Sequence, residues 1–177
     1  MNQTNRLLLI PSLLGAALAV ALGVYGRVHT PTRVAVTIPV FSSLFHAKLW
    51  FASAAALLAL VQLLSALAMW GKLGPKTPSW TPALHRWSGR IAFLLVVPVA
   101  AQCLYSLGFS SFDTRTLVHS ILGCLFFGVF TVKMLALPKQ GLAGWVLPVL
   151  GGAVFTLLMA LWLTSSFWWF SENGIKF

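Results

Sequence analysis

Five long apolar stretches fill most of this chain, and they constrain its fold more than any other feature. They lie at about residues 7–25, 41–70, 84–109, 114–137 and 142–170. A helix rises 1.5 Å per residue, so about 20 residues cross the roughly 30 Å hydrocarbon layer of a bilayer. Because that layer holds no water, each stretch must satisfy its own backbone hydrogen bonds as a helix. The sequence therefore predicts an all-α integral membrane bundle of five transmembrane helices.

Other fold classes fit the sequence poorly. Charged residues make up 8% of the chain, whereas a soluble domain has about 25%. A membrane β-barrel would need segments of about ten residues with alternating polarity, and none is present. No polar segment is long enough to close a water-soluble core. We therefore expect residues 1–177 to form a single transmembrane domain, with its core helices within 41–170.

The first apolar stretch has a second interpretation, because Arg6 precedes it as in a secretory signal peptide. It is longer than the usual apolar region of such a peptide, however, and no small-x-small cleavage site follows it. We therefore favour an uncleaved first helix.

Charge distribution gives a weak indication of orientation. Five spans place the two termini on opposite sides of the membrane. The N-terminal side carries seven of the 12 Lys and Arg residues, namely Arg6, Lys72, Lys76, Arg86, Arg90, Lys133 and Lys139. The other side carries Arg27, Arg33, Lys48, Arg115 and Lys176. Because cytoplasmic loops are enriched in Lys and Arg, we expect a cytoplasmic N-terminus and a C-terminus outside.

Charge and cysteine content also exclude several functions. The net charge of +10 would suggest nucleic-acid binding in a soluble protein. Here the cations lie in loops and at helix ends, where they suit anionic lipid headgroups, so no nucleic-acid partner is expected. Asp113 and Glu172, the two acids, fall near predicted helix ends, which disfavours a proton- or cation-coupled carrier. Cys103 and Cys124 lie inside apolar stretches and resemble small buried residues rather than a disulfide.

Two histidines at matching places form the pattern most suggestive of chemistry. His46 lies near the start of the second stretch and His119 near the start of the fourth. Helices two apart in the chain run parallel in a membrane bundle, so both imidazoles should lie at similar depth on one side. Imidazole is a standard axial ligand of haem iron. The pair therefore predicts a haem between helices two and four, while each histidine alone is more typical of an interfacial side chain.

Glycines next to histidines supply the space that such a cofactor needs. Gly123 follows His119 at i+4, and Gly89 follows His85 at i+4, so each glycine shares a helix face with its histidine. A glycine there leaves clearance for a porphyrin edge. Small residues also allow plain close packing of membrane helices, and this alternative stays open for each glycine.

The remaining polar residues have less specific interpretations. His85 lies on the opposite side from the pair, and we expect it to contact headgroups or a cofactor's carboxylates. Gln102 could bind a propionate or a quinone carbonyl, or make an interhelical hydrogen bond. Lys48 and Arg115 lie close enough to the histidine pair to neutralise propionates. His29 falls in a loop and is most simply a solvated side chain.

Two segments carry a resemblance to known proteins: Leu84-His85-Arg86-Trp87-Ser88-Gly89-Arg90 and Leu117-Val118-His119-Ser120-Ile121-Leu122-Gly123-Cys124. In these segments the chain resembles a family of small bacterial five-helix membrane proteins of unknown function. The likeness runs from about Phe41 to Trp169.

More distantly, the layout resembles the ascorbate-reducible and ferric-reductase-like transmembrane cytochromes b. Those proteins hold two haems with histidines on four consecutive helices. That resemblance implies that His46 and His119 match one pair and that His85 matches half of the second. The chain lacks the fourth histidine, and relatives in the closer family can have histidine where this chain has Gln102.

These observations lead to one leading function and one alternative. We expect a b-type cytochrome-like electron-transfer protein in the bacterial cytoplasmic membrane, with one haem b held by His46 and His119. A quinone or a redox protein would be its partner, and it could be a homo-oligomer or a subunit of a larger complex. It would be an oxidoreductase subunit at most, since no residue suggests a catalytic role. The alternative is a cofactor-free membrane anchor or scaffold subunit.

Overall fold

In the part of the chain that the structure describes, five helices are long and apolar enough to cross a membrane, as the sequence predicts. The computed structural model describes residues 2–33, 44–74 and 76–175, with the backbone alone for Leu44 and Phe45. The long helices are α1 (Gln3–Val28), α2 (Leu44–Met69), α3 (Thr81–Gln102), α4 (Thr114–Ala136) and α5 (Val146–Trp162). No strand occurs within those ranges, so the all-α prediction is confirmed. Phe41, the predicted start of the second span, and Lys176 lie outside the described residues.

Two of the long helices continue as π-helix near their C-terminal ends. The first π segment, Cys103–Leu107, extends α3, and the second π segment, Leu163–Phe167, extends α5 and leads into α6 (Trp168–Asn173). A π-helix has i→i+5 hydrogen bonds, is rare and often marks a functional site. Because each π segment has only 5 residues, it is too short to change the apolar pattern of a span, and the sequence predicts the spans but not these segments.

The helices pack as a ring. α1 packs on α4, α4 on α5, α5 on α2 and α2 on α3, and the first π segment of α3 contacts α1. The buried core consists of Ala55, Ala59, Val96, Phe126 and Leu158. α3 and α4 do not pack extensively against each other, so the interior stays wide where these two helices face each other.

A pair of glycines holds α1 against α4. A Cβ atom built on Gly15 would lie 2.5 Å from the carbonyl oxygen of Gly128, and one built on Gly128 would lie 2.7 Å from that of Gly15. Small residues allow membrane helices to approach this closely. α1 therefore belongs to the packed bundle, in addition to the helices within 41–170 that the sequence predicts as its core.

An aromatic cluster fills part of the space between α3 and α4. Phe93 stacks on Phe130 with ring centroids 4.3 Å apart and contacts Phe127, which in turn contacts Phe126. These four rings lie toward the N-terminal side of the bundle's centre. Phe126 and Phe127 line an interior cavity that extends from the cluster toward the other side.

Candidate functional site

A cavity of about 440 Å³ lies inside the bundle, on the side where α2 and α4 begin. Its deep wall is apolar and includes Val96, Phe126 and Phe127. Polar groups gather at the opposite end of the cavity, where its lining includes Lys48, Arg115, Thr116, His119, Thr164 and Ser166. Cavities of roughly 300–1,000 Å³ with apolar walls and a few convergent polar groups are typical sites for small molecules and cofactors.

Both π segments line this cavity, from two different helices. The first contributes Cys103, Leu104 and Leu107, and the second contributes Thr164, Ser165 and Ser166. Sequence reasoning missed this wall. The signal that could have found it is the run of three hydroxyl residues, 164–166, inside an otherwise apolar helix.

His119 lines the cavity, and a neighbouring helix holds its ring. Its Nδ1 lies 2.9 Å from the Oγ1 atom of Thr164. The Thr164 hydroxyl donates its proton to the carbonyl of Ala160 at 2.8 Å, so it accepts from His119. The imidazole therefore carries its proton on Nδ1 and presents the lone pair of Nε2. A histidine that ligates a metal is commonly fixed in this way by a hydrogen bond to its other nitrogen.

Thr164 also binds a second side chain of α4. The N–H of Trp168, the first residue of α6, donates to the carbonyl of Leu163, and the carbonyl of Thr164 accepts from Nη1 of Arg115 at 2.8 Å. The Arg115 guanidinium lies 3.7 Å from the ring centroid of Trp168, in a cation–π contact. Thr164 thus positions both His119 and Arg115 at the cavity.

His46 does not line the cavity, although the sequence predicts that it shares a site with His119. Its ring packs edge-on against Trp169, with centroids 5.2 Å apart and planes at 78°. Trp169 does line the cavity. The structure therefore brings the two histidines to the same side of the bundle without joining them in one open space, because a large indole occupies the position next to His46.

The two glycines predicted to give clearance have different surroundings. Gly123 lines the cavity, and a Cβ atom built on it would meet only Leu161, at 3.9 Å. Gly89 lies away from the cavity, and a Cβ atom there would lie 3.0 Å from Oε1 of Gln62. The space at Gly89 is filled by the Gln62 side chain, so clearance for a macrocycle is the wrong role for this glycine.

His85 takes part in a polar network between α2 and α3, which differs from the predicted contact with headgroups or a cofactor's carboxylates. Its Nδ1 lies 2.9 Å from Oγ of Ser65. The amide of Gln62 donates to the carbonyl of His85 and to Oγ of Ser88. Sequence reasoning missed Gln62, which lies in the middle of an apolar stretch. Its amide bonds to polar groups of α3 because the hydrocarbon layer offers no water to bind them.

The last two predicted polar positions also lie outside the cavity. Gln102 is the final residue of α3 and is not part of the cavity lining. His29 is stacked between the rings of Tyr25 and Tyr105, at centroid distances of 5.0 and 5.1 Å. Its Nε2 donates to the carbonyl of Tyr105 at 3.2 Å. His29 is therefore half-buried and hydrogen-bonded to the first π segment, whereas the sequence predicts a simply solvated side chain.

No cluster of three or more His, Cys, Asp or Glu side chains in residues 2–33, 44–74 and 76–175 could hold a bare metal ion.

Comparison with known proteins places the chain in a family but assigns no activity. No curated protein matches it, and no solved structure matches it. The predicted likeness to a family of unknown function is confirmed, since one family model matches residues 8–177. The chain therefore belongs to a family of unknown function, DUF6529.

Proposed function

We propose that this protein is a membrane electron-transfer protein that binds one haem b in the cavity, with His119 as an axial ligand. The observation that carries the proposal is the hydrogen bond from Nδ1 of His119 to Thr164. It leaves Nε2 as the ligating atom at an apolar cavity of about 440 Å³. Neutral imidazole presented in this way is a standard haem ligand.

Other features of the cavity suit the same cofactor. Gly123 leaves space on the face of α4 that carries His119. Ser166 is 1% exposed, and its hydroxyl has no hydrogen-bond partner in the described part of the chain. Buried polar groups without partners are rare, and a bound molecule is one way to satisfy them. Lys48 and Arg115 add positive charge at the same end.

His46 is the second axial ligand in this proposal. It would reach the cavity when the Trp169 ring moves aside. The edge-on contact between these rings contributes about 0.5–1.5 kcal/mol beyond the area that it buries, and that contribution would be lost on this movement.

When bound, haem b supplies a one-electron carrier whose potential depends on its axial ligands and their hydrogen bonds. The residues of this chain hold and orient the ligand. Thr164 fixes the His119 ring, the apolar wall around Phe126 excludes water, and Arg115 holds positive charge at the polar end. A quinone or a redox protein would exchange the electron, at a bacterial cytoplasmic membrane with the N-terminus inside.

Absorption spectroscopy tests the proposal directly. Protein purified after expression with ample haem should show a Soret band and a sharp α-band in the reduced-minus-oxidised spectrum. His119→Ala should abolish both bands, and His46→Ala should remove the signature of two histidine ligands. His29→Ala is the matched control and should leave the spectrum intact, because His29 stacks between tyrosines away from the cavity lining. A colourless preparation would refute the proposal. Loss of the two bands in His85→Ala would show that His46 and His119 are the wrong pair of haem ligands.

The second candidate is a cofactor-free membrane anchor or scaffold subunit. The observation that favours it is the packing of His46 against Trp169 rather than at the cavity. It predicts colourless protein that purifies with partner subunits from its native membrane under mild detergent.

A further inference from the structure

We propose that the cavity recognises a ligand with an apolar body and a carboxylate at one end. This inference rests on the proposed function, because haem b is such a molecule, and it extends that function by naming the groups that select the carboxylate. The shape of the lining carries the first step. Apolar side chains such as Phe126 and Leu158 line the deep end, and the polar groups gather where α4 begins and α5 ends.

The second argument is the positive charge at the polar end of the cavity. Lys48 and Arg115 both line the polar end, and the lining includes no acidic residue among the described positions. The contacts of Arg115 are with a carbonyl oxygen and an indole ring, both uncharged. The Arg115 side chain is half-buried, and no acidic residue of the described lining offsets its charge. An anionic ligand group at this end would therefore be attracted, and a planar carboxylate matches the planar guanidinium donors.

The third argument is the buried hydroxyl of Ser166. Its Oγ atom is buried, and no described residue accepts its proton or donates to it. Its neighbours differ, because the hydroxyls of Thr164 and Ser165 already donate to the carbonyls of Ala160 and Leu161. The Ser166 hydroxyl is thus a buried donor at the cationic end of the cavity, and it has no acceptor among the described residues. An oxygen of the ligand's carboxylate would accept that proton.

A pair of ligands that differ only in their carboxylates tests the proposal. Ligand-free full-length protein in nanodiscs would be titrated with haem b and with haem b dimethyl ester, which keeps the macrocycle and lacks free carboxylates. We expect haem b to bind at least tenfold more tightly than the ester. Equal affinity for the two forms would overturn the proposal.

Variants of Arg115 and Ser166 test whether these residues select the carboxylate. Arg115→Gln and Ser166→Ala should each reduce the preference for the free acid several-fold. Arg90→Gln is the matched control, since Arg90 also lies over a tryptophan, Trp87 at 5.1 Å, but at the opposite end of the bundle. Ser166→Ala adds a readout that needs no ligand. The ligand-free variant should melt at the same temperature as the parent or higher, because a buried hydroxyl without a partner has been removed. A preference unchanged in both variants would contradict the proposal.

A second ligand pair separates this inference from the haem proposal. Oleate and oleyl alcohol share an apolar chain, and oleate alone carries a carboxylate. If haem b fails to bind but oleate is preferred over oleyl alcohol, with dependence on Arg115, the carboxylate site stands and the haem function fails. If neither haem b nor oleate binds, both are refuted.

Discussion

Gly15 and Gly128 offer the sharpest test of the packing in this bundle. We predict that Gly15→Ala destabilises the protein by forcing α1 away from α4. The new Cβ atom would lie 2.5 Å from the carbonyl oxygen of Gly128 and 2.5 Å from a methyl group of Val132. Ordinary contact begins at 3.4 Å, so the helices would have to separate by about 0.9 Å, the difference between these distances. One of these two atoms belongs to the backbone, which cannot rotate away.

The expected magnitude follows from two opposing effects. Forcing extra volume into a packed interface costs about 1–3 kcal/mol, and a backbone obstacle favours the upper half of that range. Replacing glycine by alanine in a helix favours folding by up to about 1 kcal/mol. The net loss for Gly15→Ala should therefore be about 1–2 kcal/mol in the free energy of unfolding.

A matched variant removes the helix-propensity effect. Gly152 also lies inside a long helix, α5, and a Cβ atom there meets nothing within 4 Å. Gly152→Ala should be neutral or slightly stabilising, so the two variants should differ by about 2–3 kcal/mol, the steric cost alone. The assay is unfolding in mixed micelles of dodecylmaltoside and sodium dodecyl sulfate, followed by circular dichroism.

Additivity provides a second check on the same contact. Once Gly15→Ala has separated the helices, Gly128→Ala should cost less than it does alone, because neighbouring sites couple. If Gly15→Ala and Gly152→Ala unfold at the same detergent composition, the close approach of α1 and α4 is refuted.

Two further predictions concern hydrogen bonds that the structure assigns. Asp113→Ala should lower stability by about 1 kcal/mol, because the Asp113 carboxylate caps α4 by accepting from the N–H of Thr116 at 2.8 Å. Asp113→Ser should restore most of that loss, and an Ala variant as stable as the parent would contradict the cap. Gln62→Leu should cost about 1 kcal/mol, since two interhelical hydrogen bonds are lost and each is worth roughly 0.6 kcal/mol in a membrane bundle. Unchanged stability in the same micelle assay would show that the network between α2 and α3 contributes nothing.

The positions of the five spans could be predicted because hydrocarbon imposes a simple rule on sequence. Any segment that crosses it must be apolar and about 20 residues long, and it must be helical. The same rule places Arg115 and His119 on the side where α4 begins, and both line the cavity there. Gly123 followed from helical periodicity alone, since i and i+4 share a face.

The failures share one cause, which is that burial depends on which helices are neighbours. Gly89 was assigned to a cofactor because Gln62, 27 positions earlier, could not be placed beside it from the sequence. His29 looked solvated because nothing in its own segment indicates that Tyr105 would cover it. His46 matched His119 in depth, but depth along a helix does not determine the direction in which a side chain points, and Trp169 took the intervening position.

Sequence alone was enough for the membrane class, the number of spans and the side on which each histidine lies, because these depend on hydropathy and on counting along single helices. Tertiary structure decided the rest. The two π segments, the hydrogen bond from His119 to Thr164 and the unpartnered hydroxyl of Ser166 all arise where α4 and α5 meet. No periodicity encodes these contacts, since each depends on the rotation and spacing of helices that close packing sets only when the whole bundle has formed.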